Sequence, residues 1–191
     1  MRVLFIGNSH TYFNDMPQIF KQICQENSIE MEVTMLARGY KGLDYHAKEV
    51  QTRFNILYGN YDFVVLQHLQ SGFDKDVLYN STKKLKEWIN ISGATPILYM
   101  TWSLKEEREK QNELCIGYRE VGEKLNISVA PVGEVWWRFF DSYPDEILYF
   151  KDNKHASPLG STLAAYTLFS SIFNKKAKTQ NPLYKKINEL I

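Results

Sequence analysis

Three residues of this sequence have the types and the spacing that nucleophilic catalysis requires. Asp152 and His155 lie three positions apart, and Ser9 follows Gly7-Asn8 at the end of the first apolar run. A serine hydroxyl becomes an effective nucleophile when a histidine takes its proton, and the histidine works best when a carboxylate holds its other ring nitrogen. One loop can present Asp152 and His155 together. The sequence therefore predicts a serine hydrolase, provided that the fold brings Ser9 to that loop.

Five short apolar runs are spaced as the strands of a parallel sheet. Unbroken runs of this length are typical of strands that are buried on both faces, and helix-period segments separate them. The predicted strands are 3–6, 31–36, 63–66, 96–101 and 129–132, and the predicted helices are 15–27, 43–57, 76–91, 105–125 and a last one after Ser157-Pro158. This alternation predicts a three-layer α/β/α sandwich with a central parallel sheet of about five strands, in one domain over residues 1–191.

In such a sheet the loops that follow the carboxyl ends of the strands lie at one edge, and sites form there. Ser9 follows the first predicted strand, Gly39 and Gly42 follow the second, and residues 67–72 follow the third. We therefore expect these loops to meet at the same edge of the sheet.

The composition excludes several classes of protein. Lys and Arg total 23 against 22 Asp and Glu, so a formal charge of +1 gives no overall bias toward nucleic acid or an anionic membrane. No apolar run approaches the ~20 residues that span a bilayer, and the first run is too short for a signal peptide, so we expect a cytoplasmic protein unless a leader precedes this sequence. Cys24 and Cys115 show no C-x-x-C spacing and are expected to be free, mostly buried thiols.

The chain resembles the SGNH hydrolases, the superfamily of GDSL-like esterases and lipases. The family's first motif, usually G-D-S, matches as Gly7-Asn8-Ser9 with Asn8 in place of the common aspartate, and its last motif, D-x-x-H, matches in full at residues 152–155. The two motifs bracket the whole chain. The resemblance implies the flavodoxin-like fold of this family, with Ser9 as nucleophile, His155 as general base and acid, and Asp152 as the orienting carboxylate.

The resemblance also implies an oxyanion hole of three donors: the serine N–H, a glycine N–H after the second strand and an asparagine side chain after the third. Ser9 supplies the first, and we favour Gly42 over Gly39 for the second because Gly42 adjoins a predicted helix start. The expected G-x-N-D is absent, and a glutamine-rich segment replaces it, as in a bacterial subgroup of such proteins. Glutamine carries the same amide donor one methylene further out, so Gln70 is predicted as the third donor, with Gln67 as the alternative.

Three other histidines and one tryptophan complete the set of candidate residues. His46 is predicted to lie on a helix surface, whereas His10 and His68 are expected to border the pocket without taking part in the chemistry. Trp102, at the end of the fourth predicted strand, has two open interpretations: a ring that stacks on a substrate, or a core residue.

These observations predict a serine esterase for small acyl esters, with acetyl esters of carbohydrates as the favoured class. There is no long apolar lid segment of the kind that a lipase needs, and the loops after strands two and three carry polar residues: Arg38, Tyr40, Lys41, Gln67, His68 and Gln70. No cofactor or metal is expected, and the predicted partner is a small-molecule ester, not nucleic acid or a membrane. The alternative is a degenerate SGNH-fold binding protein with little turnover. The oligomeric state stays open.

Overall fold

Five parallel strands form the centre of the molecule, as predicted. The computed structural model describes residues 1–191. The strands are β1 (Arg2–Gly7), β2 (Glu32–Ala37), β3 (Phe63–Leu66), β4 (Thr95–Tyr99) and β5 (Ser128–Ala130). Their order in the sheet is β2-β1-β3-β4-β5, and every pair is parallel. The strand order therefore reverses between β1 and β3, and in open α/β sheets ligands bind at such a switch point.

Nine α-helices surround the sheet, and a 3-10 helix (Phe13–Asp15) separates the first two of them. The α-helices are α1 (Ser9–Tyr12), α2 (Met16–Glu26), α3 (Leu43–His46), α4 (Val50–Tyr58), α5 (Lys75–Ser92), α6 (Lys110–Leu125), α7 (Val132–Ser142), α8 (Pro158–Phe173) and α9 (Pro182–Leu190). None of them combines the length and the apolar composition that crossing a bilayer requires.

Alternate residues of the strands point to opposite faces, which gives the sheet two cores. Val3 and Phe5 of β1 pack in a cluster of 28 buried residues together with residues of α2, α7, α8 and α9. Leu4 and Ile6 pack on the other face in a cluster of 19 buried residues with α3, α4, α5 and α6. The predicted α/β/α sandwich is thus confirmed, and the chemistry-bearing loops extend from a sheet that has a core on each face.

The structure corrects several predicted boundaries. The predicted helix 43–57 is two helices, α3 and α4, because the chain turns after His46. The predicted helix at 105 begins only at Lys110, and the Lys105 N–H instead donates to the Asn153 carbonyl at 3.1 Å. Val132, predicted as the end of a strand, is the first residue of α7. Helices α1, α7 and α9 were not among the predicted elements.

Candidate active site

His155 joins Asp152 to Ser9 through its two ring nitrogens. Its Nδ1 lies 2.6 Å from Asp152 Oδ2, and its Nε2 lies 2.8 Å from Ser9 Oγ. Ser9 and His155 are 146 residues apart in the chain, so only the fold brings them together. The structure thus places the three residues predicted from the motifs in one hydrogen-bonded chain at the carboxyl edge of the sheet.

The D-x-x-H spacing is explained by the backbone of its own loop. Asp152 Oδ1 accepts the N–H groups of Lys154 (3.1 Å) and His155 (2.9 Å), which leaves Oδ2 to face the imidazole. Asn153 has φ of 55°, a left-handed conformation that asparagine adopts more readily than most residues. Trp102 Nε1 then donates to the Lys154 carbonyl at 3.0 Å and ties the loop to the end of β4.

The same contacts keep Asp152 ionised. Partial burial raises the pKa of Asp152, but hydrogen bonds from the His155 side chain and from the two backbone N–H groups outweigh it and lower the pKa to about 2. A carboxylate that remains charged at every physiological pH can hold the Nδ1–H tautomer of His155, so that Nε2 is free to accept a proton.

Asn8 connects the Ser9 turn to the loop after β2. It caps α1 by accepting the His10 N–H at Oδ1 (3.1 Å), and its Nδ2 donates to the Lys41 carbonyl (3.0 Å). An ionised aspartate could cap the helix but has no proton to donate to Lys41. This second bond gives a physical reason for asparagine where the family usually has aspartate. The Ser9 N–H, at the first position of α1, has no acceptor within the helix.

Gly42 lies directly after Lys41 and therefore beside the Ser9 turn. A Cβ at this position would come within 2.7 Å of both His68 Cε1 and Asp44 Oδ1, so only glycine fits without a shift of these side chains. A Cβ on Gly39 would meet no atom closer than the Tyr12 hydroxyl, at 3.1 Å. Neighbouring side chains thus pack more closely against Gly42 than against Gly39, and Gly42 is the glycine favoured by the sequence.

The two candidate glutamines have different surroundings. Gln67 is fully buried; its Oε1 accepts from the Asn8 N–H (2.8 Å) and the Thr11 hydroxyl (2.9 Å), and its Nε2 donates to the His68 carbonyl. The Gln67 amide is therefore occupied within the protein. The side-chain amide of Gln70 has no hydrogen bond within the chain, and its Oε1 is buried without a partner. Of the two, Gln70 alone has an uncommitted amide.

His46 is not a surface residue, which corrects the prediction from the sequence. It is buried, and its Nε2 lies 2.8 Å from the Gly7 carbonyl at the end of β1. Burial lowers its pKa, in spite of the opposing effects of that hydrogen bond and of Glu49 and Asp44. The neutral imidazole with a proton on Nε2 donates to Gly7, so His46 supports the turn that carries Ser9.

His10 and His68 are also buried, and each lies against the site. His68 Nδ1 accepts the Leu43 N–H (3.0 Å), and burial lowers its pKa to about 4. Neither ring nitrogen of His10 has a hydrogen-bond partner; burial, with smaller contributions from His155 and Lys154, lowers its pKa to about 3. Both side chains are therefore neutral at physiological pH. They border the site, as predicted.

The His155 ring lies between two other rings. The Phe13 ring stacks on it with centroids 4.5 Å apart and an interplanar angle of 12°, and the His10 centroid lies 5.6 Å away. Phe13 was not among the candidate residues predicted from the sequence, since only the fold brings it against His155. Trp102 is a core residue: it is buried and stacks on Trp136 at 3.9 Å.

The polar rim is smaller than the sequence indicated. Gln67, His68 and Gln70 are buried, so they do not form an exposed rim. Arg38, Tyr40 and Lys41 are exposed beside the site. The two thiols are free as predicted, with Cys24 buried and Cys115 half-buried.

No protein-family model matches the chain, and no curated protein matches it by sequence. Solved structures do match. A DUF4886 family protein from Bacteroides uniformis is 15% identical, with a TM-score of 0.82 over 100% of this chain and 92% of its own. A putative GDSL-like lipase from Parabacteroides merdae is 14% identical, with a TM-score of 0.71 over 91% of this chain and 96% of its own. A family 3 carbohydrate esterase from Clostridium thermocellum is 13% identical, with a TM-score of 0.69 over 91% and 96%.

The fold of this chain is therefore that of the SGNH hydrolases, the class of GDSL-like lipases and esterases. This confirms, at the level of the fold, the resemblance that the two motifs carry. At these sequence identities the roles of individual residues have to be argued from the site itself.

Proposed function

We propose that this protein is a serine esterase that hydrolyses small acyl esters, with acetyl esters as the favoured class. One observation carries the proposal: the His155 imidazole lies within hydrogen-bond distance of Asp152 Oδ2 (2.6 Å) and of Ser9 Oγ (2.8 Å) at the same time. These are the distances that a nucleophile, a base and an orienting carboxylate need. The SGNH hydrolase fold, which several esterases share, supports it.

The reaction follows from this arrangement. Ser9 Oγ attacks the ester carbonyl carbon while His155 Nε2 takes the hydroxyl proton, which gives a tetrahedral oxyanion. The C–O bond to the alcohol then breaks, and His155 returns the proton to the departing alcohol. An acyl group remains on Ser9. Water, deprotonated by His155, attacks that acyl group in the same way and releases the carboxylic acid. Asp152 stays ionised and stabilises the imidazolium in both halves.

The oxyanion is assigned three donors. The Ser9 N–H is the first of α1 and has no acceptor within that helix, so it is free to donate to the oxyanion, and the Gly42 N–H adjoins the same turn. Gln70 is the proposed side-chain donor because its amide is uncommitted, whereas that of Gln67 is bonded within the fold. This assignment explains how the site can work without the asparagine of G-x-N-D.

Carbohydrate acetates are the proposed substrates. Exposed Arg38, Tyr40 and Lys41 border the site and suit an alcohol rich in hydroxyl groups more than a long acyl chain. A structurally similar protein, from Clostridium thermocellum, is a carbohydrate esterase. With p-nitrophenyl esters, we expect kcat/KM to be higher for acetate than for octanoate. A maximum at eight carbons or beyond would reject this part of the proposal.

The central experiment compares Ser9→Ala with Ser142→Ala, a matched change at an exposed position in α7. With p-nitrophenyl acetate, Ser9→Ala is expected to lower kcat by as much as about 10⁶, as removal of a triad serine does. Ser142→Ala should retain full activity. A fluorophosphonate probe should label Ser9 in the wild type, and peptide mass spectrometry would identify the labelled residue. Wild-type turnover in folded Ser9→Ala, or no turnover and no labelling of the wild type, would overturn the proposal.

A further inference from the structure

Three cations beside the Ser9 turn have no carboxylate partner. Arg38, Lys41 and Lys154 make no ion pair and no side-chain hydrogen bond, whereas Arg2, Arg108, Arg119 and Arg138 each pair with a carboxylate. We call the patch formed by these three cations and Tyr40 the cationic rim.

The cationic rim is tied to the catalytic turns through the backbone. The Arg38 N–H donates to the Gly7 carbonyl (3.0 Å), and the Lys41 carbonyl accepts from Asn8 (3.0 Å). Lys154 directly precedes His155, and its positive charge helps to lower the pKa of His10. All three cations thus come from residues that adjoin or bond to the Ser9 or His155 segments.

Two tyrosine rings gather the cations into one patch. Arg38 and Lys41 both lie over the Tyr45 ring, at 6.0 and 5.4 Å from its centroid, and the Lys154 ammonium lies 5.0 Å from the Tyr40 centroid. The contact between Tyr40 and Lys154 links the loop after β2 to the loop that holds His155. Cations on aromatic faces keep their charge while their side chains are ordered.

Tyr40 has the least favourable backbone conformation of the residues in the cationic rim. Its φ is 61°, a left-handed conformation that is unusual for a bulky residue, and its ring is 78% exposed. An exposed ring contributes little to the fold, so a strained backbone that presents it beside a catalytic turn points to a role in binding. A flat aromatic ring of this kind can stack on the face of a sugar.

The carboxylates of this edge do not neutralise the rim. Asp152 accepts hydrogen bonds from His155 and from two backbone N–H groups. Asp44, at the start of α3, forms no ion pair with any rim cation. The rim cations therefore have no carboxylate within ion-pair distance, although the whole chain is close to neutral at +1.

We propose that the cationic rim selects esters whose alcohol part bears an anionic group, with acylated acidic sugars as the substrate class. This inference rests on the proposed esterase function. The acyl group would face Ser9, and the carboxylate or sulfate of the sugar would lie against Arg38, Lys41 and Lys154. Unpaired cations at a site mouth raise both the encounter rate and the binding of an anion, and salt weakens these effects.

The test uses matched esters that differ in charge at a distance from the reacting carbonyl. The pair 4-acetoxyphenylacetate and 4-acetoxyphenylacetamide have leaving groups of similar chemistry. We expect kcat/KM to be about tenfold higher for the anion at low ionic strength, since one charge pair near a surface is worth about a fivefold to tenfold change. The preference should shrink when ionic strength rises to about 0.5 M. O-acetylated methyl galacturonoside, galactoside 6-sulfate and galactoside then compare carboxylate, sulfate and neutral sugars.

The variant series is Arg38→Gln, Lys41→Gln and Lys154→Gln, combined in one protein. Its control combines Arg53→Gln, Lys83→Gln and Lys84→Gln, three exposed cations on other helices. The rim variant should lose the preference for the anion, and the control should keep it. Tyr40→Gly should lower kcat/KM for the galacturonoside without lowering the unfolding midpoint.

The outcomes separate the two proposals. Failure of the wild type to hydrolyse either aryl acetate would contradict the esterase function. Equal turnover of the charged and neutral esters, or a preference that survives in the rim variant, would overturn the cationic-rim proposal and leave the esterase function standing.

Discussion

Gln67 Oε1 accepts the backbone N–H of Asn8 at 2.8 Å, so the residue that follows β3 holds the turn that carries Ser9. The same oxygen accepts the Thr11 hydroxyl, and the Gln67 amide nitrogen donates to the His68 carbonyl. One fully buried side chain thereby satisfies polar groups on two different loops. This relationship explains why a glutamine stands at this place and why it is not free to bind an oxyanion.

Gln67→Ala is expected to destabilise the protein strongly. The change leaves the Asn8 N–H, the Thr11 hydroxyl and the His68 carbonyl without a partner in a buried place, at a cost of roughly 1–3 kcal/mol for each group that water cannot reach. Urea unfolding should show a loss of about 3 kcal/mol or more. A loss below about 1 kcal/mol would contradict the structural role. Gln67→Glu is the informative companion, because it retains an acceptor but loses the donor to His68.

Gln70→Ala should behave in the opposite way. Its amide has no hydrogen bond within the chain, so the free energy of unfolding should change by less than about 1 kcal/mol. Loss of one oxyanion donor should lower kcat by about 10²–10³ with little change in KM. Steady-state kinetics with p-nitrophenyl acetate measure both constants. Unchanged kcat would place the third donor elsewhere.

His46→Ala is expected to be damaging, in contrast to the neutral effect that a surface histidine would give. The change removes one of the two hydrogen bonds that the Gly7 carbonyl accepts, leaving the bond from the Arg38 N–H, and creates a cavity beneath the Ser9 turn, which should cost about 2–4 kcal/mol of stability. His46→Gln can place an amide N–H near the lost Nε2–H and should recover part of that loss. Equal melting temperatures for His46→Ala and wild type would contradict the assigned hydrogen bond.

The stability of the protein should fall as pH decreases from about 6.5 to 4. In the unfolded chain, histidines with the ordinary pKa of 6.5 take up protons over this range, whereas burial keeps His68 neutral down to about 4 and His10 down to about 3. The unfolded state therefore binds more protons, and each such histidine removes up to about 1.4 kcal/mol of stability per pH unit.

His10→Phe provides the check on this pH dependence. The phenyl ring has a similar shape, and neither ring nitrogen of His10 has a partner to lose, so stability at pH 8 should be maintained. Between pH 6.5 and 4 the variant should lose stability less steeply than the wild type, because unfolding of the variant takes up about one proton fewer. Parallel curves of unfolding free energy against pH for the two proteins would refute the assignment of His10 as a buried neutral imidazole.

The sequence by itself determined those features that depend on short spacing. Apolar runs separated by helix-period segments specify a parallel sheet, because strands buried on both faces need uninterrupted apolar residues. Asp152 and His155 are close enough in the chain for one loop to orient them through its own backbone. Ser9, directly after β1, had to lie at the carboxyl edge, and so did Gly42 after β2.

Only the tertiary structure decided which side chains of those loops turn inward. Gln67 and Gln70 have the same chemistry and lie three residues apart, but the first meets partners on the Ser9 turn and the second does not. His46 is on a short helix, and its Nε2 is hydrogen-bonded to the Gly7 carbonyl, 39 residues away. The stacking of Phe13 on His155 joins residues 142 positions apart. Such contacts depend on the packing of distant segments, which no local pattern of residue types encodes.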